Sequence, residues 1–210
     1  MQTYKITGLK QGVRNPGRVN VYVDSKFSFS LDISQVVDFG IKVGSEISAS
    51  DLEELKKASE FGKLYQRALE WVLVRPRSIR ETNDYLYKKI FEKKLDKNYI
   101  DRIIDRLKAK KYLDDFRFAE YYAENRFSKK GVSSKRLKME LMKKGVSKDI
   151  IEEVLAGSDR NDAEEIKKMI AKKRSKYPDD NKLTQYLCRQ GFQYDLVREL
   201  VLSSGTDSQN

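Results

Sequence analysis

The 210-residue chain contains no histidine and a single cysteine, Cys188. One cysteine cannot form an internal disulfide, and this usage is typical of a reducing compartment. A zinc site would have to be built from carboxylates and one thiolate, and acid–base catalysis would lack its most common side chain. We therefore predict no catalytic residue, no metal site and no cofactor, and we interpret the chain as a protein without enzymatic activity.

Long apolar runs are also missing. No segment approaches the roughly 20 apolar residues that cross a bilayer, and the amino terminus lacks the apolar core of a signal peptide. We expect a cytoplasmic protein with no membrane partner. A glycine-rich phosphate loop is absent as well, because Gly62-Lys63 has no earlier glycine in register and is followed by leucine. ATP hydrolysis is therefore not predicted.

Positive charge is present in excess. Lysine and arginine number 43 against 32 aspartates and glutamates, a net charge of +11, which favours anionic partners such as nucleic acid or an acidic protein surface. Residues 1–63 hold 9 basic and 8 acidic side chains, so the remaining 34 basic and 24 acidic side chains carry +10 of the excess. The alternative is a soluble basic protein without a dedicated anion site.

Alternating apolar residues predict a small β-hairpin or meander module over residues 1–49. After the turn signal Asn15-Pro16-Gly17, two segments each place three apolar residues on one strand face. These residues are Val19, Val21 and Val23, followed by Phe27, Phe29 and Leu31. The turn between the segments lacks glycine, which predicts a longer or open loop. A capping-box pattern from Ser50 to Glu53 then predicts a linking helix over residues 50–63.

A three-helix pattern occupies residues 114–157. Asp114 or Asp115 is placed to cap an aromatic helix, and Ser133 or Ser134 can cap a second helix that stops at Gly145. A third helix follows. The apolar residues of the second and third helices recur at helical spacing: Leu137, Leu141, Ile150, Ile151, Val154 and Leu155.

The same outline recurs before and after this segment. Leu137, Leu141, Gly145, Val146, Ile151 and Leu155 fall at the same offsets as Leu183, Leu187, Gly191, Phe192, Val197 and Val201. We predict a mainly α fold: an elongated array of three tandem three-helix repeats, 64–113, 114–157 and 158–202, preceded by the β-rich module and followed by a disordered tail, 203–210. The first repeat has about four additional residues near Ile90–Lys94, which fit one further helical turn.

Basic residues cluster at related places in the three repeats. Residues 126–148 contain nine lysines or arginines and one acid, Glu140. Four of these cations lie off the Leu137/Leu141 stripe and are placed to face a phosphate backbone. Solvated helix faces are the alternative for any one cluster, whereas threefold recurrence favours anion binding. The candidates for contact with DNA or a DNA-bound filament are Arg75, Arg77, Lys88, Lys89, Arg126, Lys129, Lys130, Lys135, Arg136, Lys138, Lys143, Lys144, Lys172, Lys173 and Arg174.

Aromatic and acidic residues near these clusters have both a structural and a functional interpretation. Phe118 and Tyr122 are placed to stack on bases, but their helical spacing favours burial, as it does for Trp71. Asp179-Asp180 with Lys182 contains the acid-acid-lysine elements of metal-dependent nucleases. Because these residues are contiguous at a helix start, capping is favoured, and the same holds for Asp114-Asp115.

Three ordered motifs point to a family. They are Arg75-Pro76-Arg77-Ser78-x-x-Glu81, then Tyr112-Leu113-Asp114-Asp115-x-x-Phe118-Ala119, and finally Lys144-Gly145. With these motifs the chain resembles the RecX family of recombinase regulators over residues 64–202. The β module lies outside this resemblance. Thr82 departs from the pattern, because the family usually has leucine after the glutamate.

The resemblance implies a non-enzymatic protein that binds RecA recombinase along the groove of its filament on DNA. Such a protein modulates filament assembly, ATP hydrolysis and strand exchange in recombination, DNA repair and the SOS response. The implied partners are the RecA filament and single-stranded DNA, with double-stranded DNA left open as a further partner, and we expect a monomer. Net inhibition and net stimulation both remain open.

Two other functions compete with this hypothesis. Three-helix units also resemble helix-turn-helix domains, so a sequence-specific DNA-binding regulator is the main alternative. Such a protein needs side chains that read base edges, whereas lysine-rich helices give salt-sensitive binding that ignores sequence. The third function is a helical scaffold for acidic proteins.

Overall fold

The computed structural model describes residues 2–158 and 161–206. The chain divides into two compact units: unit 1 comprises Met1–Leu73 and Tyr85–Arg106, and unit 2 comprises Val74–Asp84 and Leu107–Asn210. The helices are α1 (Ile33–Asp38), α2 (Ala49–Val74), α3 (Ile79–Lys93), α4 (Tyr99–Ala109), α5 (Asp115–Lys130), α6 (Ser134–Lys143), α7 (Lys148–Ala156), α8 (Asp162–Lys173), α9 (Asp180–Arg189) and α10 (Tyr194–Thr206). None of the helices in the described ranges is long and apolar enough to span a bilayer. The predicted class, mainly α with a small N-terminal β-rich module, is confirmed.

Unit 1 begins with a four-stranded antiparallel sheet. Its strands are β1 (Thr3–Gln11), β2 (Arg18–Val23), β3 (Lys26–Asp32) and β4 (Glu46–Ser48), in the order β3-β2-β1-β4. Val21 lies opposite Phe29 in the β2–β3 pair, which confirms the predicted hairpin. Because alternate residues point to one side, the apolar face of the sheet packs together with Leu52 and Leu55 of α2.

The turn of this hairpin differs from the sequence prediction. Val23 pairs with Lys26, so the loop consists of Asp24 and Ser25 alone and is not a longer or open loop. Both residues have positive φ values, 47° and 65°, and two such residues match the right-handed twist of the strands. Asp24 tolerates this backbone without glycine, and its Oδ1 accepts a hydrogen bond from the Lys5 amide at 3.1 Å.

The first long helix also differs from the prediction. α2 is continuous over 26 residues, so the predicted linking helix and the first helix of the first repeat are one element. Its capping bonds lie at Ser48 and Asp51 instead of Ser50 and Glu53: the Asp51 amide donates to Ser48 Oγ at 3.2 Å, and the Ser48 amide donates to Asp51 Oδ2 at 3.1 Å. Gly62 lies inside this helix, where a Cβ would meet the Asp32 carboxylate at 3.3 Å. Glycine there lets the sheet approach the helix closely.

Unit 2 contains two successive three-helix cores. The first is formed by α5, α6 and α7 and the second by α8, α9 and α10. Four of the six matched positions are buried in both segments, whereas Leu155 is half-buried opposite the buried Val201 and the two glycines are not buried. The four are Leu137, Leu141, Val146 and Ile151 in the first segment, and Leu183, Leu187, Phe192 and Val197 in the second. On this basis we propose the segments 114–157 and 158–202 as structural repeats.

The helix starts settle which of the paired candidates is the cap. Asp114 caps α5, because its Oδ1 accepts hydrogen bonds from the amides of Phe116 at 2.8 Å and Arg117 at 3.3 Å. Ser133 caps α6, with Ser133 Oγ accepting from the Arg136 amide at 3.1 Å. The adjacent Asp115 and Ser134 are free to take other partners.

Two helix lengths bear on the predicted boundaries. α3 has 15 residues against 10 in α6 and 10 in α9, which confirms the additional turn expected near Ile90–Lys94. α10 continues to Thr206 and so extends into the segment from Ser203 that the sequence predicts to be a disordered tail. Its buried apolar positions reach only to Val201, and the helix continues beyond them with the exposed Leu202 and then serine and glycine. Residues 207–210 lie outside the described part of the chain.

Candidate anion-binding surface of unit 2

The family motifs converge at the start of α3. Ser78 is fully buried, and its Oγ accepts a hydrogen bond from the Glu81 amide at 3.0 Å and donates one to the Lys144 carbonyl oxygen at 2.7 Å. Thr82, the departure from the family pattern, is also buried, and its hydroxyl donates to the Ser78 carbonyl oxygen at 2.9 Å. A threonine is therefore satisfied at this position.

Glu81 joins the motifs electrostatically. Its carboxylate lies 2.6 Å from Lys144 Nζ and 3.4 Å from an Arg75 guanidinium nitrogen. Partial burial raises the pKa of Glu81, but the contacts with Lys144 and Arg75 outweigh it, so the pKa is lowered overall. Arg75 and Lys144, both predicted to face DNA, are thus ion-paired within the chain.

The start of α3 makes a second contact, with Asp115 at the start of α5. Its Oδ1 accepts a hydrogen bond from the Ile79 amide at 2.8 Å, and burial raises the pKa of the carboxyl group. The start of α6 has the same arrangement, because Asp162 Oδ1, at the start of α8, accepts hydrogen bonds from the amide and the hydroxyl of Ser134, each at 2.8 Å. In both cases an acid at the start of a later helix accepts hydrogen bonds from the first residue of an earlier helix.

The glycines that follow α6 and α9 lie close to the starts of α3 and α6. Gly145 has a φ of +84°, and a Cβ there would lie 2.6 Å from the Arg80 Cβ. Gly191 has a φ of +96°, and a Cβ there would lie 2.5 Å from the Ser133 hydroxyl. Sequence reasoning identified both glycines as helix stops but missed these close contacts. The sequence gives no signal for these contacts, because each glycine meets a side chain that lies far earlier in the chain.

Two predicted DNA-binding arginines are held by one carboxylate. Arg126 donates from Nε and Nη2 to the two Glu140 oxygens at 2.7 and 2.6 Å, and Arg136 Nε donates at 3.2 Å. The Tyr122 hydroxyl also donates to Glu140, at 3.1 Å. Hydrogen bonds from Arg126 are the main cause that lowers the pKa of Glu140 to about 2. This cluster fixes α5 against α6.

Several further candidates are engaged in the same way. Lys138 lies 2.9 Å from Glu152, and Lys89, in unit 1, lies 2.9 Å from Glu92. Arg174 pairs with Asp180 and also donates to the Val201 carbonyl oxygen and the Ser204 hydroxyl. These intramolecular partners reduce the capacity of the cations for an external phosphate.

Other candidates face solvent. Lys88, Lys135, Lys143 and Lys172 are exposed, and Lys173 is half-buried. Within the described residues, no carboxylate oxygen lies within 4 Å of the Nζ atoms of Lys135 and Lys143. Arg77 is half-buried, and burial together with Arg75 lowers its pKa. The side chains of Lys129 and Lys130 lie outside the described part of the structure.

The two unpaired lysines of α6 border a cleft. Lys135, Met139 and Lys143 follow one another at four-residue spacing, so they share one face of the helix. They line a cleft of about 500 Å³ together with Cys188, Arg189 and Phe192. Burial raises the pKa of the Cys188 thiol. The lining combines four cations and the ion-paired Glu140 with the apolar side chains of Met139 and Phe192. Such a surface can bind a phosphate chain and contact the apolar parts of its sugars or bases.

The predicted core aromatics are not part of this surface. Phe118 is fully buried in the first core of unit 2, and Tyr122 packs against that core. Trp71 stacks on Tyr85 in unit 1, with ring centroids 4.6 Å apart. The motif residues Leu113 and Ala119 are buried as well. These positions serve packing.

Two family models match separate parts of the chain. The profile of the RecX second three-helix domain matches residues 114–155, and the profile of the regulatory protein RecX N-terminal domain matches residues 4–48. The second match places the β module, which the sequence resemblance left out, inside the same family.

Relatives that match most of the chain carry the same family name. The regulatory protein RecX of Clostridium perfringens strain SM101 is 34% identical over 206 residues, covering 94% of each chain, and that of Bacillus pumilus is 30% identical, covering 97% of this chain and 78% of its own. A crystal structure of regulatory protein RecX has a TM-score of 0.72 at 22% identity and covers 94% of this chain and 98% of its own, which supports the fold. The structure of RecX from Lactobacillus salivarius has a TM-score of 0.58 at 25% identity, covering 70% of this chain and 97% of its own. With motifs, profiles and whole-chain relatives in agreement, the chain belongs to the RecX family of regulatory proteins.

Proposed function

We propose that this protein is a non-enzymatic regulator of RecA recombinase that binds the RecA–DNA filament and modulates its assembly, ATP hydrolysis and strand exchange. Family membership supports the regulatory role, since the relatives carry the name regulatory protein RecX. The observation that carries the DNA part of the proposal is the α6 cleft. There, Lys135 and Lys143 are exposed, share one helix face and have no carboxylate partner within the described residues.

Ion pairs within the chain favour some of the predicted DNA contacts over others. Arg136 and Lys138 were grouped with Lys135 and Lys143 on sequence grounds, but Glu140 and Glu152 hold the first two. An ion-paired cation must give up its partner to bind phosphate, whereas an unpaired one binds without that loss. We therefore assign the phosphate contacts of α6 to Lys135 and Lys143.

This arrangement favours DNA binding that ignores sequence. A lysine ammonium is a point charge that contacts phosphates, whereas base readout relies on planar groups placed in a groove. The guanidinium of Arg136, which has the planar geometry, is bound to Glu140 and to the Arg189 carbonyl oxygen at 2.8 Å. A sequence-specific helix-turn-helix regulator is therefore less well supported than a filament-binding regulator.

The test is the salt dependence of binding to a labelled oligothymidine strand. The variant Lys135→Gln/Lys143→Gln should bind more weakly, and each lost phosphate contact should reduce the slope of log affinity against log salt by about 0.7, or about 1.4 for both. The matched control is Lys138→Gln/Lys148→Gln, which removes two charges from lysines that both pair with Glu152. An equal change in both variants would show that only net charge matters and would refute the assignment.

A further inference from the structure

Unit 1 carries a cluster of cations that lies outside the family motifs. Lys63 and Arg67 of α2 and Lys93 at the end of α3 line a cleft of about 280 Å³ with Glu60, Leu64 and Leu95. All three cations are exposed. Three positive charges therefore face one carboxylate across a small opening.

Nearby carboxylates do not neutralise the positive charge of this cleft. Burial is the main cause that lowers the pKa of Lys63, and repulsion from Arg18, Lys93 and Arg67 lowers it further, while Glu60 opposes the effect. Like charges that depress the pKa of a lysine are relieved when an anion binds between them. Within the described residues, no carboxylate oxygen lies within 4 Å of the cationic groups of Lys63, Arg67 or Lys93.

Two arginines of α4 lie against another face of α2 in the same unit. The Arg102 guanidinium carbon lies 4.5 Å from the centroid of the Phe61 ring, and that of Arg106 lies 4.6 Å from the centroid of the Tyr65 ring. Stacking covers one face of each guanidinium and fixes its plane, while both arginines stay exposed to solvent. Neither guanidinium has a carboxylate within 4 Å in the described part of the chain, so their N–H groups remain available.

The position of nearby acids limits where an anion can lie. A larger cleft of about 730 Å³ adjoins the first and shares Glu60, Lys93 and Leu95 with it. Arg102 and Arg106 line this second cleft, but so do five carboxylates: Asp32, Asp38, Glu54, Glu60 and Asp96. A polyanion therefore fits best at the smaller cleft, where Lys63, Arg67 and Lys93 face one carboxylate.

We propose that Lys63, Arg67 and Lys93 form a second phosphate-binding site, which takes the sugar-phosphate backbone of single-stranded DNA. The forked N–H groups of arginine match phosphate oxygens in a bidentate manner, and the lysines add charge without sequence preference. Neighbouring cations on two helices suit a chain of phosphates better than a single small anion. This inference rests on the proposed function in taking the same ligand, and it adds a second region of contact in unit 1.

The experiment measures affinity for a labelled oligothymidine strand by fluorescence anisotropy as salt is raised. Lys63→Gln/Arg67→Gln/Lys93→Gln should weaken binding and reduce the salt slope by about 2, because each of three lost contacts contributes about 0.7. The matched control, Lys5→Gln/Lys26→Gln/Lys42→Gln, removes three exposed charges from the β module of the same unit and should keep the slope of the parent.

A second variant separates geometry from charge. Arg67→Lys keeps the charge in the cleft but loses the forked donors of the guanidinium. We expect binding to weaken several-fold with an unchanged salt slope. If the triple glutamine variant matches its control, or the lysine variant binds like the parent, the site is refuted.

The outcome also distinguishes this inference from the proposed function. If Lys135→Gln/Lys143→Gln lowers the salt slope while the unit 1 variants do not, only the second site is wrong. If neither set lowers it, both assignments fail, and the cations of unit 1 would face an acidic protein surface instead.

Discussion

Replacing Gly145 with alanine should destabilise unit 2 by more than the backbone conformation alone explains. The residue has a φ of +84°, and a Cβ would lie 2.6 Å from the Arg80 Cβ and 2.8 Å from its Cδ. A left-handed conformation costs an L-residue about 1–2 kcal/mol, and overpacking adds about 1–3 kcal/mol. Together these terms predict a loss of about 2–5 kcal/mol in the free energy of unfolding.

Gly44 supplies the matched control for this prediction. Its φ is +93°, but nothing lies within 4 Å of the position that a Cβ would take. Gly44→Ala therefore has the backbone cost without the steric one and should lose only about 1–2 kcal/mol. Gly191→Ala tests the corresponding contact at the end of α9, because a Cβ there would lie 2.5 Å from Ser133 Oγ and 2.9 Å from the Arg136 Cβ.

The assay is urea denaturation followed by far-ultraviolet circular dichroism, with the denaturant midpoint and slope both fitted. Gly145→Ala and Gly191→Ala should each lower the midpoint by more than Gly44→Ala does. If the three variants lose equal stability, the two stop glycines are needed only for their backbone angles, and the close approach between successive segments is not a tight one.

Two further predictions concern caps and pH. Asp114→Ala should cost about 0.5–2 kcal/mol, because two amides of α5 lose their acceptor; a thermal melt unchanged from the parent would contradict the cap. The pKa of Glu140 is lowered to about 2, so its ion pairs stabilise the fold above its unfolded-state pKa, about 4.3, and this stabilisation is lost as the pH falls toward 2. The contribution at neutral pH is on the order of 3 kcal/mol, and Glu140→Gln should flatten the fall of stability between about pH 5 and pH 2. A parent-like acid profile in that variant would assign the fall to other carboxylates.

Periodicity and glycine spacing predicted much of the fold. The equal offsets of Leu137 and Leu183, or Gly145 and Gly191, predicted equivalent buried positions because both segments bury the same helical stripe. The hairpin strands were predictable for the same reason, since alternation assigns a face. Its turn was not, because a two-residue loop without glycine depends on Asp24 and Ser25 adopting positive φ with tertiary hydrogen bonds to β1.

The candidate site was only partly predictable. Sequence spacing places a cation on the exposed side of a helix, but it does not show which carboxylate lies opposite. Spacing alone predicts that Arg126 and Arg136 can contact phosphate, but in the fold both pair with Glu140. Lys135 and Lys143 are exposed to solvent. The stacked arginines of α4 were missed because their partners, Phe61 and Tyr65, lie about 40 residues earlier in the chain.

The most direct test of the account is a titration of RecA ATPase activity on single-stranded DNA with the parent protein, Lys135→Gln/Lys143→Gln and Lys138→Gln/Lys148→Gln. The account predicts that the parent and the Lys138/Lys148 control change the ATPase rate at similar concentrations. The Lys135/Lys143 variant should require a clearly higher concentration for the same effect. No change in ATPase rate with the parent, or equal potency of all three proteins, would contradict regulation of RecA through the α6 cleft.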